Sequence, residues 1–245
     1  MEATAGSGMN GPAVAGRMQD DGAGVRWDRI AAVAGLLFIV LVVASFFTPE
    51  TPDYPSSADQ LASELTADRS GHQMALLLGF LSDIAFLVFV AGLWSRFRRH
   101  EGTGGMMSAL FAIAAAAFSA TILISEGLYL ALVQTAESGD PATLPTLAAL
   151  DYWVGICIVP AGVAMMIGAT GAILGTHALP AWLGYLSGLN AVLLVLSLAG
   201  VYETDEESVL VGIGGFGGFL LFLVWALATS IVLLMRSSHR AEVRA

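Results

Sequence analysis

Three polar side chains stand inside long apolar stretches of this 245-residue chain, and they are the first candidates for chemistry. Asp83 and Glu126 carry carboxyl groups, and Asn190 carries an amide that both donates and accepts hydrogen bonds. Ionisable groups are costly to place in a membrane, so those that occur there commonly belong to ion paths, proton relays or ligand sites. We therefore predict an intramembrane polar site formed by these three residues.

The surroundings of Asp83 are consistent with two roles. Its carboxyl group stands alone on an apolar helix face that includes Phe86, Leu87 and Val90. It is either a proton or cation site, or a hydrogen-bonding group that fastens neighbouring helices together. Asn190 falls at a matching depth in a later apolar segment, which is the arrangement of an inverted repeat. This predicts an interhelical hydrogen bond between Asp83 and Asn190.

Glu126 lies in the outer half of its apolar segment, and the sequence leaves its exact depth open. Ser119 stands seven residues earlier on the same helix face, and Thr121 and Ser125 form a second polar ridge beside it. This polar stripe either faces the interior of a helix bundle or brings Glu126 close to the lipid headgroups.

The composition argues against several classes of function. Charged residues make up 12% of the chain, against about a quarter in a typical soluble domain. The single Cys157 excludes an intramolecular disulfide, and no Cys/His cluster has zinc-ligand spacing. The four histidines all lie at segment ends, in loops or in a tail, so paired haem ligation within the membrane is not expected. We expect no cofactor, no metal and no nucleic-acid partner.

Six apolar segments are each long enough to cross a membrane, which takes about 20 residues of α-helix. They comprise residues 30–47, 72–94, 106–133, 153–174, 181–201 and 209–235. Continuous apolar character excludes the alternation of a half-buried strand, and helices satisfy their own backbone hydrogen bonds in lipid. The sequence therefore predicts an all-α, polytopic six-span bundle formed by residues 27–236 as one domain.

The arginines predict the orientation of the spans. All ten basic residues are arginine, and nine of them fall on one side of the membrane if the N-terminus is cytoplasmic. Arg69 is the exception. The excess of positive charge in cytoplasmic segments then places both termini inside. Residues 1–26 are predicted as a disordered cytoplasmic tail and residues 237–245 as a second cytoplasmic tail. The absence of lysine and the abundance of Ala, Gly, Val and Leu favour a bacterial cytoplasmic (inner) membrane.

Two further patterns concern packing. Ser57-Ala58-Asp59-Gln60 has the form of a capping box and predicts a short helix whose Leu61 and Leu65 share one face. Pairs of glycines four residues apart predict sites where helices approach closely. These are Gly171 with Gly175, Gly184 with Gly188, and Gly214 with Gly218.

Short motifs at three span ends resemble those of a broad group of six-helix bacterial membrane proteins that is known only as a domain of unknown function. The motifs are residues 29–35 at the start of the first span, Asp83 with Leu93-Trp94 in the second, and Leu179-Pro180-Ala181-Trp182-Leu183-Gly184 before the fifth. The resemblance covers roughly residues 27–202 and implies the same six-helix fold, with no established activity.

Three functions remain open at this point. The favoured one is a non-enzymatic membrane protein that binds or regulates a protein partner, or assembles with copies of itself. The alternative is a small proton- or cation-linked transporter or channel that uses Asp83. The least favoured is an enzyme that acts on a lipid-soluble substrate, because no convergent set of acid and base groups is visible.

Overall fold

The structure is a computed structural model, which describes residues 11–52, 55–137, 141–201 and 213–242. Seven α-helices account for most of the described residues, and no strand occurs among them. The helices are α1 (Gly11–Ser45), α2 (Ala58–Ala67), α3 (Arg69–Glu101), α4 (Met106–Thr135), α5 (Leu144–Thr176), α6 (Ala181–Ser197) and α7 (Gly218–Glu242). Short 3-10 turns at Pro141–Thr143 and Leu198–Val201 and a π-helical turn at Ile213–Gly217 complete the described chain.

Helix α1 begins earlier than the sequence indicated. It starts at Gly11, with Pro12 in its first turn, where the fixed φ of proline suits a helix and its missing N–H costs nothing. Residues 11–26, which the sequence analysis assigned to a cytoplasmic tail, are thus helical in the structure. Residues 1–10 lie outside the described residues, as do residues 243–245 of the second predicted tail.

Five of the helices are long and apolar enough to cross a membrane. They are α1 from Arg26, α3, α4, α5, and the segment from Ile213 to Ser238, which includes most of α7. Helix α6 is also apolar, but its 17 residues extend only about 25 Å at a rise of ~1.5 Å per residue. The predicted fifth span ends in a 3-10 turn, which is why its α-helical part is shorter than the apolar segment. A helical membrane bundle is confirmed at this level.

The six long helices pack as a closed ring in chain order. Helix α1 packs on α3, α3 on α4, α4 on α5, α5 on α6, α6 on α7, and α7 returns to α1. Four phenylalanines from four helices fill its centre: Phe38, Phe86, Phe118 and Phe222. The ring centroid of Phe86 lies 5.2 Å from that of Phe38 and 5.7 Å from that of Phe118. We call these four residues the aromatic plug.

One end of the bundle is held by a buried ion pair. Arg96 at the end of α3 is 3% exposed and bonds to Asp28 of α1, while Arg99 reaches the other carboxylate oxygen at 3.2 Å. Arg96 also donates to the carbonyl of Ala178 in the α5–α6 turn at 2.9 Å, and Arg236 of α7 donates to the same carbonyl at 3.1 Å. We call this end of the ring the arginine end.

The opposite end is covered by α2. The predicted capping box is confirmed: Ser57 Oγ accepts from the Gln60 N–H at 3.3 Å, and Gln60 Oε1 accepts from the Ser57 N–H at 3.1 Å. Leu61 and Leu65 are fully buried, in one cluster with Leu132 of α4 and other apolar residues. The short helix therefore caps the bundle with its apolar face.

The glycines differ in how closely a neighbouring helix approaches them. A Cβ added to Gly184 would lie 2.7 Å from a methyl group of Leu174, and one added to Gly218 would lie 3.0 Å from a methyl group of Leu194. Gly214 lies against the backbone of α6, with the Leu193 carbonyl oxygen 2.9 Å from the Cβ position.

The remaining glycines of the predicted pairs also differ in how closely a neighbouring helix approaches them. A Cβ at Gly171 would lie 2.6 Å from the sulfur of Met107, and one at Gly188 would make ordinary contact with Thr170 at 3.5 Å. Gly175 has no neighbour within 4 Å of that position, whereas Gly168, one turn before Gly171, sits directly on the backbone of α4. The closest α4–α5 approach therefore lies one turn earlier along α5 than the predicted pair.

Substitution of Gly168 by alanine should destabilise the fold strongly, because the new Cβ would lie 2.6 Å from the backbone nitrogen of Phe111. We expect a loss of about 1–3 kcal/mol from overpacking. Gly175→Ala on the same helix is the matched control and should be neutral or slightly stabilising, because alanine is the better helix former. Reversible unfolding in mixed detergent micelles measures both, and equal effects of the two variants would contradict the assigned α4–α5 contact.

Candidate functional site

The carboxyl group of Glu126 is seated against Gly79, one helical turn before Asp83 on α3. A Cβ at Gly79 would overlap Glu126 Oε1, so the absence of a side chain there creates the space that this carboxyl group occupies. Because residues four apart share a helix face, Asp83 lies on the same face of α3 as the site where the Glu126 carboxyl group rests. Two of the three predicted site residues are thus neighbours across the α3–α4 contact.

Both carboxyl groups retain unused hydrogen-bonding capacity. Asp83 is 4% exposed, and its Oδ2 has no hydrogen-bond partner among the described residues. Glu126 Oε2 is likewise buried without a partner there. An unsatisfied buried polar atom costs about 1–3 kcal/mol, and two negative charges side by side add repulsion. A proton bound to either group would relieve the repulsion between them.

Glu126 also lines a polar cavity of about 360 Å³, which we call the vestibule. The vestibule lies between the α1–α2 connection and helices α3, α4 and α5, and exposed residues such as Glu50 mark its opening at the end opposite the arginines. Its lining consists of Ser45, Thr48, Pro49, Glu50, Thr51, Ala75, Leu76, Gly79, Ser125, Glu126, Tyr129 and Asp151. Three carboxyl groups and no basic residue belong to this lining, so it favours cations or protons.

Two hydrogen bonds tie the vestibule wall together. Ser125 of α4 donates to Asp151 of α5, which joins these helices beside Glu126. Tyr129, one turn after Ser125, shares a hydrogen bond of 2.5 Å with Nδ1 of the buried His72 on α3. The rings of His72 and Tyr129 meet edge to face with centroids 5.9 Å apart. Helices α3, α4 and α5 are therefore fixed to one another around the vestibule by polar contacts.

The aromatic plug lies on the other side of Asp83. Phe86 follows Asp83 by about one turn on α3, and it contacts Phe38, Phe118 and Phe222 from three other helices. Phe86 is 1% exposed. The vestibule is thus separated from the arginine end by a layer of packed rings.

Asn190 is not part of this arrangement. It is fully buried on α6, and neither polar atom of its side chain has a hydrogen-bond partner among the described residues. The predicted bond between Asp83 and Asn190 is therefore not formed. The reason is the ring order, because α3 and α6 stand on opposite sides of the six-helix ring. Ser119 is also buried with an unpartnered hydroxyl group.

Three of the polar residues that the structure brings together were not among the predicted site residues. Asp151 falls just before the predicted span of residues 153–174, but it lies within α5 and bonds to Ser125. His72 and Tyr129 are 57 positions apart, and nothing in the local pattern of either segment pairs them. The polar ridge of α4 was the sequence signal that could have indicated the Ser125–Asp151 contact. It included Ser125 but gave no indication of Asp151.

No group of three or more His, Cys, Asp or Glu side chains within the described ranges has the geometry to hold a metal ion. Comparisons with protein-family models, with curated proteins and with solved structures find no match to this chain. The similarity to the six-helix group noted from the motifs stays a prediction.

Water should reach Ser125 but not Ser119, six positions deeper on α4, because Ser125 lines the vestibule and Ser119 is 2% exposed. In a Cys157→Ala background, Ser125→Cys is expected to react with a charged, membrane-impermeant thiol reagent at least tenfold faster than Ser119→Cys. Labelling rates in intact proteoliposomes test this. Equal rates at the two positions would contradict a vestibule that ends above Ser119.

Proposed function

We propose that this chain is a small proton-translocating membrane protein in which Asp83 and Glu126 bind the proton. The observation that carries the proposal is the seat of Glu126 on Gly79, one turn from Asp83, at the edge of an acidic vestibule. A proton needs only two oxygen atoms to be held between carboxyl groups, whereas calcium takes six to eight oxygen ligands and magnesium a near-octahedral set.

Each part of the site has a role in this proposal. The vestibule carboxylates raise the local proton concentration at the opening. Glu126 lines the cavity and receives the proton, and Asp83 holds it at the inner side. The aromatic plug closes the path to the arginine end, so translocation requires that Phe86 and its partners separate. Transport by this route is gated rather than continuous.

A proton flux assay tests the function. Protein is reconstituted in potassium-loaded liposomes with a pH-sensitive dye inside, and valinomycin imposes a membrane potential that is negative inside. We expect the wild-type chain to acidify the lumen. Asp83→Asn and Glu126→Gln should each lower the rate at least tenfold, because each removes one of the two proton-binding groups.

Glu64→Gln is the matched control, because Glu64 is an exposed carboxylate on α2 outside the vestibule lining, and it should leave the flux unchanged. Absence of wild-type flux, or equal flux in Asp83→Asn, would overturn the proposal. The carboxyl pair would then be a packing contact, and the non-enzymatic partner or self-assembling protein favoured by the sequence would be the better hypothesis.

We also propose a six-span topology with both termini in the cytoplasm of a bacterial cell and the vestibule open to the outside. The support is the clustering of Arg96, Arg99 and Arg236 at one end of the ring, which matches the charge bias of cytoplasmic segments. Helix α6 crosses as the fifth of the six spans, with the help of the 3-10 turn that extends it to Val201.

Single cysteines test the topology in the Cys157→Ala background. Glu64→Cys on α2 should react with an impermeant maleimide added to intact cells, because it is exposed at the end opposite the arginines. Ser238→Cys, exposed near the end of α7, should react only after the cells are opened. The reverse pattern would overturn the orientation, and labelling of both residues in intact cells would overturn the even number of spans.

A further inference from the structure

We infer that a slot between α1 and α3 at the arginine end binds an anionic phospholipid. The slot has a volume of about 370 Å³ and is lined on one wall by Trp27 and Ile30 of α1 and on the other by Val88, Ala91 and Ser95 of α3. It lies on the outer surface of the ring, where these two helices face the membrane. We call it the α1–α3 slot.

The lining of the slot suits a lipid acyl chain. It is almost entirely apolar, and Trp27 is 55% exposed at its edge, in the position that tryptophan prefers at a membrane–water boundary. Its depth comes from a close helix approach, because Gly92 has no side chain and packs against Ala31 of α1. Val88, which is exposed, continues the apolar lining of the slot away from the arginine end.

At the arginine end, the positively charged side chains next to the α1–α3 slot suit a phosphate group. Arg99 lies one helical turn beyond Ser95 and contacts the Ser95 hydroxyl group at 3.4 Å, so it stands at the end of the α3 wall. Arg26 lies one turn before Ile30 and is exposed at the corresponding end of the α1 wall. Guanidinium groups bind phosphate oxygens in pairs, and basic pockets between spans are sites for anionic lipid headgroups.

Arg99 retains positive charge for this role. Its Nη2 bonds to Asp28 at 3.2 Å, but the same carboxylate is already paired with the buried Arg96. Arg99 therefore shares this carboxylate with Arg96. Arg99 is 41% exposed, so its guanidinium group faces the headgroup region instead of the protein interior.

A second groove on the same protein provides an internal comparison. It lies between α5 and α6, has a volume of about 500 Å³, and is lined by apolar residues such as Ile167, Val192 and Leu196 with Thr170 as a polar exception. No charged residue belongs to its lining. This groove can accommodate acyl chains, but it has no charged side chain that could select a lipid headgroup. A headgroup preference is therefore expected only at the α1–α3 slot.

Quenching of Trp27 fluorescence by brominated lipid tests the proposal. The chain carries Trp94→Phe, Trp153→Phe and Trp182→Phe, and a version that also has Trp27→Phe is subtracted to remove the signal of Trp225. Nanodiscs of phosphatidylcholine contain rising fractions of dibrominated phosphatidylglycerol or dibrominated phosphatidylcholine. We expect half-maximal quenching at an about 25-fold lower fraction of the anionic lipid, because each of the two arginines contributes about fivefold.

Three sets of variants test whether the lipid binds at the α1–α3 slot. Arg98→Gln is the control that distinguishes a loss of lipid binding from a general effect on folding. Arg26→Gln with Arg99→Gln should abolish the preference, whereas Arg98→Gln should not, because Arg98 lies against Gly105 at the α3–α4 connection. Ala91→Phe should reduce quenching by both lipids, because it fills the slot. High salt should weaken the preference of the chain that retains all its arginines.

Three results would overturn the inference: equal quenching by the two brominated lipids, a preference that survives the double arginine variant, or quenching unchanged by Ala91→Phe.

Discussion

A single carboxylate, Asp28, organises one end of this protein. It neutralises Arg96, a guanidinium group that is almost fully buried, and Arg96 in turn holds the α5–α6 turn through the carbonyl of Ala178. Charges removed from water are tolerated only when they are paired and their remaining hydrogen bonds are satisfied. This requirement couples α1, α3, the α5–α6 turn and, through Arg236, α7 at one level of the bundle. The ring of helices is closed at that level.

The closed arginine end gives the molecule its asymmetry. The polar groups of the opposite half gather around the vestibule, where Ser125 bonds to Asp151 and Tyr129 bonds to His72. The aromatic plug separates the two halves, and its rings at 5.2–6.1 Å pack as they do in a protein core. Glu126 therefore lines the vestibule, whereas Asp83 is buried between Gly79 and Phe86 of the aromatic plug along α3.

Small residues set the distances on which this arrangement depends. Gly79 makes room for the Glu126 carboxyl group, Gly168 lets α5 rest on the backbone of α4, and Gly214 does the same for the π-helical turn and α6. In lipid, helix association relies on van der Waals contact and on polar groups, so positions without a side chain determine how near two helices come. Larger residues at these positions would move the polar groups apart.

The sequence by itself determined what depends on local pattern. Apolar length predicted membrane-spanning helices, and the Ser57–Gln60 spacing predicted the capped α2 with Leu61 and Leu65 buried. The tertiary structure alone decided which side chains meet. Glu126, and not Asn190, is the neighbour of Asp83. Asp28 bonds to Arg96, which lies 68 positions later in the chain. The reason is physical: periodicity defines the faces of a helix, but the order and rotation of helices in the ring follow from long-range packing that no local spacing encodes.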